Sequence, residues 1–248
     1  MTTASAAPSA CELSVVVACY QEESHLRDSV AQLCATLDAT GRSYELIFLD
    51  DCSKDRTAAI VADLVRDRPG RRAIYHANNV GRGGTVAEGF RAATGRIVGF
   101  LDIDLEVHCR FLPSVLAAID GGADGATAFR EYATSWRPAS LVRQLLSSGY
   151  RRLFRALFAV PFRDPETGFK FFVRERILPV VARTRDPGWF WDSEIMVLAH
   201  RAGLSIVEVP CRFERRKDKQ STVRVWRDVW RYLASIRAFR TRLAAAAD

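Results

Sequence analysis

Three acidic residues on alternate positions, Asp102, Asp104 and Glu106, close the apolar run IVGFLDIDLEV over residues 97–107. If the chain stays extended there, alternate side chains share one side and the three carboxylates crowd together. Like charges that close repel one another unless something positive sits among them. Carboxylates at a strand end suit a hard divalent cation, which takes one or two protein carboxylates and completes its shell with water and phosphate oxygens. The competing reading is an exposed acidic turn capping a helix near Phe111. Two other short stretches are as polar: Tyr20–Glu23 (YQEE) and Asp50–Asp55 (DDCSKD). A glycine turn spans Asn79–Gly84, NVGRGG. Small residues ahead of a helix let backbone N–H groups approach an anion, and a plain turn uses the same glycines. Val86 stands where a dinucleotide-binding pattern needs its third glycine, which argues against a Rossmann dehydrogenase.

The elements needed to position these groups are legible in the pattern. Leu13–Cys19 and Tyr44–Leu49 read as buried strands, Ala73–His76 as a short one, and Ile97–Leu101 as the strand that delivers the carboxylates. Between them fall helices with Leu26, Val30, Leu33 and Leu37 on one face, then over Thr57–Val65 and Thr85–Ala93. A βαβαβαβ order predicts an α/β fold with a mostly parallel sheet, and such sheets bind ligands at the carboxyl ends of their strands. All three polar stretches fall at that edge. The second half predicts a strand near Ala126–Phe129, a helix over Leu141–Phe158, a helix from about Asp192 to Arg201, a strand over Ile206–Val209 and a last helix over Val223–Leu243. That last helix sets Trp226, Val229, Trp230, Leu233 and Ile236 against Arg224, Arg227 and Arg231.

Composition bounds the rest. With 248 residues, 48% hydrophobic and 26% charged, a sizeable core is expected. No apolar run is long enough to span a bilayer. Residues 1–11 read as a disordered tail, and six cysteines without metal spacing point to a reduced, cytoplasmic protein. Residues 212–242 hold nine Arg and two Lys against one Glu and two Asp, more than the whole net charge of +7. His25, His76, His108 and His200 fit no metal or triad pattern.

Taken together, VVVACYQEES, LDDCSKDRT, NNVGRGGTVAEGF, GRIVGFLDIDLEV, DPETGFKFF and EVPCRFERRKDKQS resemble the inverting family 2 glycosyltransferases, most of all the branch that makes dolichol- or polyprenyl-phosphate sugars. The similarity runs from about residue 12 to 225. It implies a GT-A fold over 12–222, with a nucleotide-sugar half (12–107), an acceptor half (108–222) and a basic amphipathic helix and tail over 223–248. It implies a GDP- or UDP-sugar donor near Tyr20, Glu22, Asp51, Arg82, Gly83 and Asp102, and Mg²⁺ or Mn²⁺ on Asp102, Asp104 and Glu106. Arg130, Arg143, Ser147 and Arg216 match positions that meet an acceptor phosphate, and Ser221 joins Arg216 in an element that closes over the diphosphate. Asp104, Arg130 and Asp192 are the catalytic candidates. Departures from the family pattern are Ala18, Gln21, Cys52 and Lys219.

A lipid monophosphate is already an anionic nucleophile at neutral pH, so no general base is required. A hydroxyl acceptor, as in secondary metabolism, needs one, and Asp192 is placed to serve unless it is simply a helix N-cap. Arginines beside tryptophans on the last helix suit an anionic membrane surface, giving a peripheral enzyme at the inner face of the membrane. Packing of Trp226 and Trp230 on the sheet with the arginines in water is the alternative, and one helix can do both at its opposite ends. A basic lipid-facing surface is compatible with a homo-oligomer. A nucleic-acid partner is disfavoured, because the acidic stretches would repel a polyanion.

Overall fold

The computed structural model describes residues 11–132, 152, 154–214 and 225–245, with backbone alone for 132 and 225–229. Seven strands form one sheet in the order β3-β2-β1-β4-β6-β5-β7. They are β1 (Leu13–Cys19), β2 (Tyr44–Asp50), β3 (Arg71–Tyr75), β4 (Ile97–Leu101), β5 (Gly125–Tyr132), β6 (Phe169–Val173) and β7 (Ile206–Phe213). β1 to β4 run parallel, as the alternation with helices requires. β6 runs antiparallel between β4 and β5, and β7 pairs parallel to β5. The carboxyl ends of β1, β2, β4, β5 and β7 and the start of β6 therefore meet at one edge.

The helices are α1 (Leu26–Ala39), α2 (Thr57–Val65), α3 (Arg82–Ala92), α4 (Leu112–Asp120), α5 (Arg174–Val181), α6 (Trp191–Arg201) and α7 (Val225–Ala245). Two apolar layers sandwich the sheet. One joins α1, α2 and α4 to Val15, Val17, Phe48, Phe169 and Phe171. The other joins α3, α5, α6 and α7 to Val16, Ile47, Val98, Phe100 and Phe172. β1 and β2 are buried on both faces, which is why their sequences are apolar throughout. Gly99 lets β6 cross close to β4, since a Cβ there would stand 2.1 Å from Phe171 Cδ1.

Leu26, Val30, Leu33 and Leu37 are buried on α1 as their spacing predicts. β5 and β7 run longer than the sequence pattern indicates, because they pair with each other over eight residues. β6 carries no strand signal of its own: FKFFV is short, unalternating and holds a lysine. The predicted helix over 141–158 lies mostly outside the described residues, although 154–158 are helical. On α7 the buried stripe is Ile236, Phe239 and Leu243, whereas Trp230 is 70% exposed and Leu233 49%. Packing of Trp230 on the sheet is thus incorrect. The Trp226 side chain lies outside the described residues.

Candidate active site at the carboxyl edge of the sheet

β4 ends at Leu101, and the chain does not stay extended beyond it. It turns, with Leu105 N–H donating to Asp102 O at 3.1 Å and Leu105 at φ 55°. Ile103 and Leu105 are buried. The turn, rather than strand alternation, brings Asp102, Asp104 and Glu106 to the wall of one cavity of about 40 Å³. Val107, Arg130, Gly168 and Phe213 complete its lining. Gly168 is required there, because a Cβ would lie 1.9 Å from Asp102 Oδ2 and 2.6 Å from Arg82 Nη2. A larger hollow of about 530 Å³ opens at the opposite edge, beside Tyr44 and Arg71 at the starts of β2 and β3, away from these carboxylates.

Asp102 has a positive partner in Arg82, at the start of α3. Its Nε and Nη2 donate to Asp102 Oδ1 at 3.0 and 2.6 Å, and Nη1 donates to Asp192 Oδ2. The guanidinium lies over the rings of Phe100 and Trp189, 5.2 and 5.0 Å from their centroids. Burial works against its charge, but Asp102 and Asp192 outweigh it and raise the Arg82 pKa. Burial pushes the Asp192 carboxyl up, opposed by Arg82 and then Lys170. Asp192 is not a cap: Phe190 occupies the N-cap position of α6 with no side-chain cap, and Asp192 reaches to Arg82 instead.

Around Asp51 the anion and the glycine turn have found each other. Its carboxylate accepts from Val80 N–H (2.8 Å) and Gly81 N–H (2.9 Å) and sits 2.8 Å from His76 Nδ1. The amides the sequence offers to a phosphate are therefore used by the chain's own acid. Gly81 has φ 87°, and a Cβ there would meet Pro187 O at 2.4 Å. Gly83 is buried against Trp191, so this turn is a close-packing device as well. Tyr20 is exposed at the end of β1. Glu22 N–H donates to Thr57 Oγ1 at 2.8 Å, stitching the loops after β1 and β2 together.

On the other side of the cavity Arg130 is held by a residue that sequence reasoning left without a role. Asp164 is 1% exposed. It accepts from Arg130 N–H at 3.1 Å and from Nε and Nη2 at 2.7 Å each, a bidentate clamp. Burial would raise the Asp164 carboxyl, but the Arg130 hydrogen bonds and charge hold it below its ordinary value. Lys170 is the other omission. It is fully buried on β6, donates to Thr167 O and lies 3.7 Å from Asp192 Oδ1. A lysine among phenylalanines, FKFF, is the available signal. Asp102, Asp104, Glu106, Arg130, Arg82 and Asp192 thus form one connected region, with Tyr20, Glu22 and Asp51 at neighbouring strand ends. Arg143, Ser147, Arg216, Lys219 and Ser221 lie outside the described residues.

Among the described residues no group of three His, Cys, Asp or Glu side chains converges to hold a metal ion by itself. The donor set still fits a hard cation that needs only one or two carboxylates and draws its other ligands from a phosphate-bearing ligand. Asp102 and Asp104 would hold it, with Glu106 beside them.

A mostly parallel sheet flanked by helices, with an Asp-x-Asp turn at its carboxyl edge, is the GT-A architecture. The glucosyl-3-phosphoglycerate synthase of Mycobacterium tuberculosis, solved with uridine diphosphate, shares the fold with a TM-score of 0.67 at 21% identity, over 93% of this chain and 80% of that one. The chain belongs to glycosyl transferase family 2, whose profile matches residues 14–174. Glycosyltransferase AglD of Haloferax volcanii is 31% identical over 224 residues, 87% of this chain but 35% of AglD. The dolichyl-phosphate beta-glucosyltransferase of Drosophila melanogaster is 31% identical over 220 residues, 82% of this chain and 67% of the relative. This chain is therefore shorter than both relatives. Among the described residues no helix is long and apolar enough to cross a membrane.

Proposed function

We propose that the protein transfers a hexose from a GDP- or UDP-sugar to a polyprenyl-type phosphate, with inversion at the anomeric carbon. One observation carries the choice of acceptor. Arg130 is fixed by Asp164 at the wall of the carboxylate cavity, while Asp192, the residue placed to be a base, is buried and engaged by Arg82. A held cation beside a candidate base that is buried suits an acceptor that arrives as an anion, and a phosphate monoester with its second pKa of about 6 is one. The names of the dolichyl-phosphate relatives support the same reading.

Arg130 orients the acceptor so that a phosphate oxygen faces the anomeric carbon in line with the departing diphosphate. The new carbon–oxygen bond forms as the bond to the nucleoside diphosphate breaks, and that bond's electron pair leaves with the diphosphate. Arg82 meets the developing charge from its stacked position between Phe100 and Trp189. A divalent cation bound through Asp102 and Asp104 would supply further neutralisation of the leaving group. Tyr20 and Glu22 border the nucleoside side, and Asp51 sets the turn from which Arg82 projects. The exposed Trp230, Leu233, Arg231, Arg237 and Arg240 of α7 suit an anionic membrane surface, where such an acceptor resides.

The test is incubation with Mg²⁺ or Mn²⁺, a short polyprenyl phosphate and a panel of nucleotide sugars, read by mass spectrometry. Glycosyl phospholipid is expected, and its loss in Asp104→Asn and on chelation. Sugar transfer to soluble hydroxyl acceptors alone would overturn the phosphate reading and return Asp192 to the role of base.

A further inference from the structure

Lys170 is a fully buried cation for which the chemistry above has no use. It is the second residue of Phe169-Lys-Phe-Phe-Val173, paired across the sheet with Phe100 of β4 and Thr127 of β5. Its exposure is 0%, so it touches no substrate. Its ammonium donates to Thr167 O, lies 5.9 Å from the Phe100 ring centroid and stands 3.7 Å from Asp192 Oδ1. That Asp192 oxygen is buried and makes no hydrogen bond among the described residues. The other Asp192 oxygen holds Arg82. Arg82 shares the Phe100 ring with Lys170 and grips Asp102 with Nε and Nη2.

Stability does not explain a lysine here. Taking an ammonium out of water is unfavourable, and a buried ion pair is seldom more stabilising than apolar side chains of the same volume. The aromatic neighbours Phe100 and Phe172 would accept a methionine. What the lysine adds is charge balance. Asp102 and Asp192 face Arg82 alone unless Lys170 supplies the second positive charge. It also adds an anchor independent of the site mouth. A ligand that competes for Asp102 removes one of Arg82's two carboxylates, and Asp192 must then hold the guanidinium by itself.

We propose that Lys170 is a positioning residue of the donor site: it steadies Asp192 from beneath, Asp192 holds Arg82, and Arg82 is kept where a nucleoside diphosphate arrives. The arrival of a diphosphate rests on the function proposed above, whereas the relay from Lys170 to Arg82 does not. Groups that orient a first layer of ligands typically change affinity or activity by about 10- to 100-fold when removed.

The experiment compares the full chain with Lys170→Met, Asp192→Asn and the double variant, using two readouts. The first is solvent exchange of the Arg82 guanidinium N–H groups by ¹⁵N NMR, read at Nη1, the nitrogen that donates to Asp192, which needs no substrate. The second is calorimetric binding of UDP and GDP with Mn²⁺. Exchange at Arg82 is expected to quicken about tenfold or more in all three variants, as a tether is lost. Nucleotide binding is expected to weaken about tenfold or more, and the double variant to be no worse than the worse single, because one relay is cut twice. A general loss of stability would move the melting temperature without singling out Arg82. Should Lys170→Met fail to fold, the double variant, which leaves no uncompensated charge at the pair, carries both readouts. Unchanged Arg82 exchange in the folded variants would overturn the proposal. A wild-type chain that binds no nucleoside diphosphate, with Arg82 exchange still dependent on Lys170, would overturn the donor reading and leave the relay standing.

Discussion

Asp164 is 1% exposed and lends Arg130 three of its hydrogen bonds, two of them in a planar fork. Asparagine in its place keeps the shape but presents an NH₂ group to a guanidinium that can only donate. Asp164→Asn is expected to raise the KM for polyprenyl phosphate about tenfold, with nucleotide affinity unchanged, as steady-state kinetics and calorimetry would read. Its stability cost is about 2 kcal/mol at neutral pH. The folded-state pKa of Asp164 is depressed, so its contribution is present above the unfolded value of about 3.9 and is lost as pH falls through the folded value. Urea titrations should therefore show the gap between wild type and variant shrinking below about pH 4. A gap constant across that range would sink the assignment.

At the scale of elements, α7 braces the loop that covers Arg82. Arg242 of α7 pairs with Glu194 of α6, which is 0% exposed, and Ser235 Oγ donates to Asp186 Oδ2 at 2.6 Å. Glu194 Oε2 also accepts from the N–H groups of Arg185 and Asp186 at 3.0 and 2.8 Å. The loop so clamped carries Trp189 over Arg82 and sets Pro187 O against Gly84 N–H at 3.2 Å. Arg242→Met leaves a buried carboxylate without its cation, at a cost of about 3 kcal/mol. Hydrogen exchange should quicken at the amides of Arg185 and Asp186 while β1 and β2 keep their protection. A drop in melting temperature with no local change at those two amides would mean that the helix is not the clamp.

At the scale of the whole molecule, one helix face stands out by its charge. The exposed face of α7 shows Arg231, Arg237 and Arg240 beside Trp230 and Leu233. Each basic residue close to an anionic lipid surface contributes about 1 kcal/mol. The protein is expected to co-sediment with phosphatidylglycerol vesicles at low salt, to be released by high salt, and to bind phosphatidylcholine vesicles poorly. Arg237→Glu with Arg240→Glu should abolish sedimentation while leaving nucleotide binding intact. Equal binding to both vesicle types would remove the lipid surface from the account.

The amino-terminal half was legible because its signals are local. β1 and β2 are apolar throughout since both faces are covered, α1 repeats its leucines at helical spacing, and the Asp-x-Asp pair follows its strand directly, although the turn that gathers its carboxylates is not in the pattern. Those features determined the α/β class and the edge of the sheet at which the polar stretches gather, and the order of the motifs gave the resemblance to family 2 glycosyltransferases and with it the GT-A fold. Tertiary structure alone decided who holds whom. Arg82 and Asp192 are 110 residues apart, and Arg130 and Asp164 are 34. Lys170 meets Asp192 because the antiparallel β6 is inserted between β4 and β5. Periodicity reports which face of an element is buried. It carries no record of strand order, and strand order is what brings these charges together.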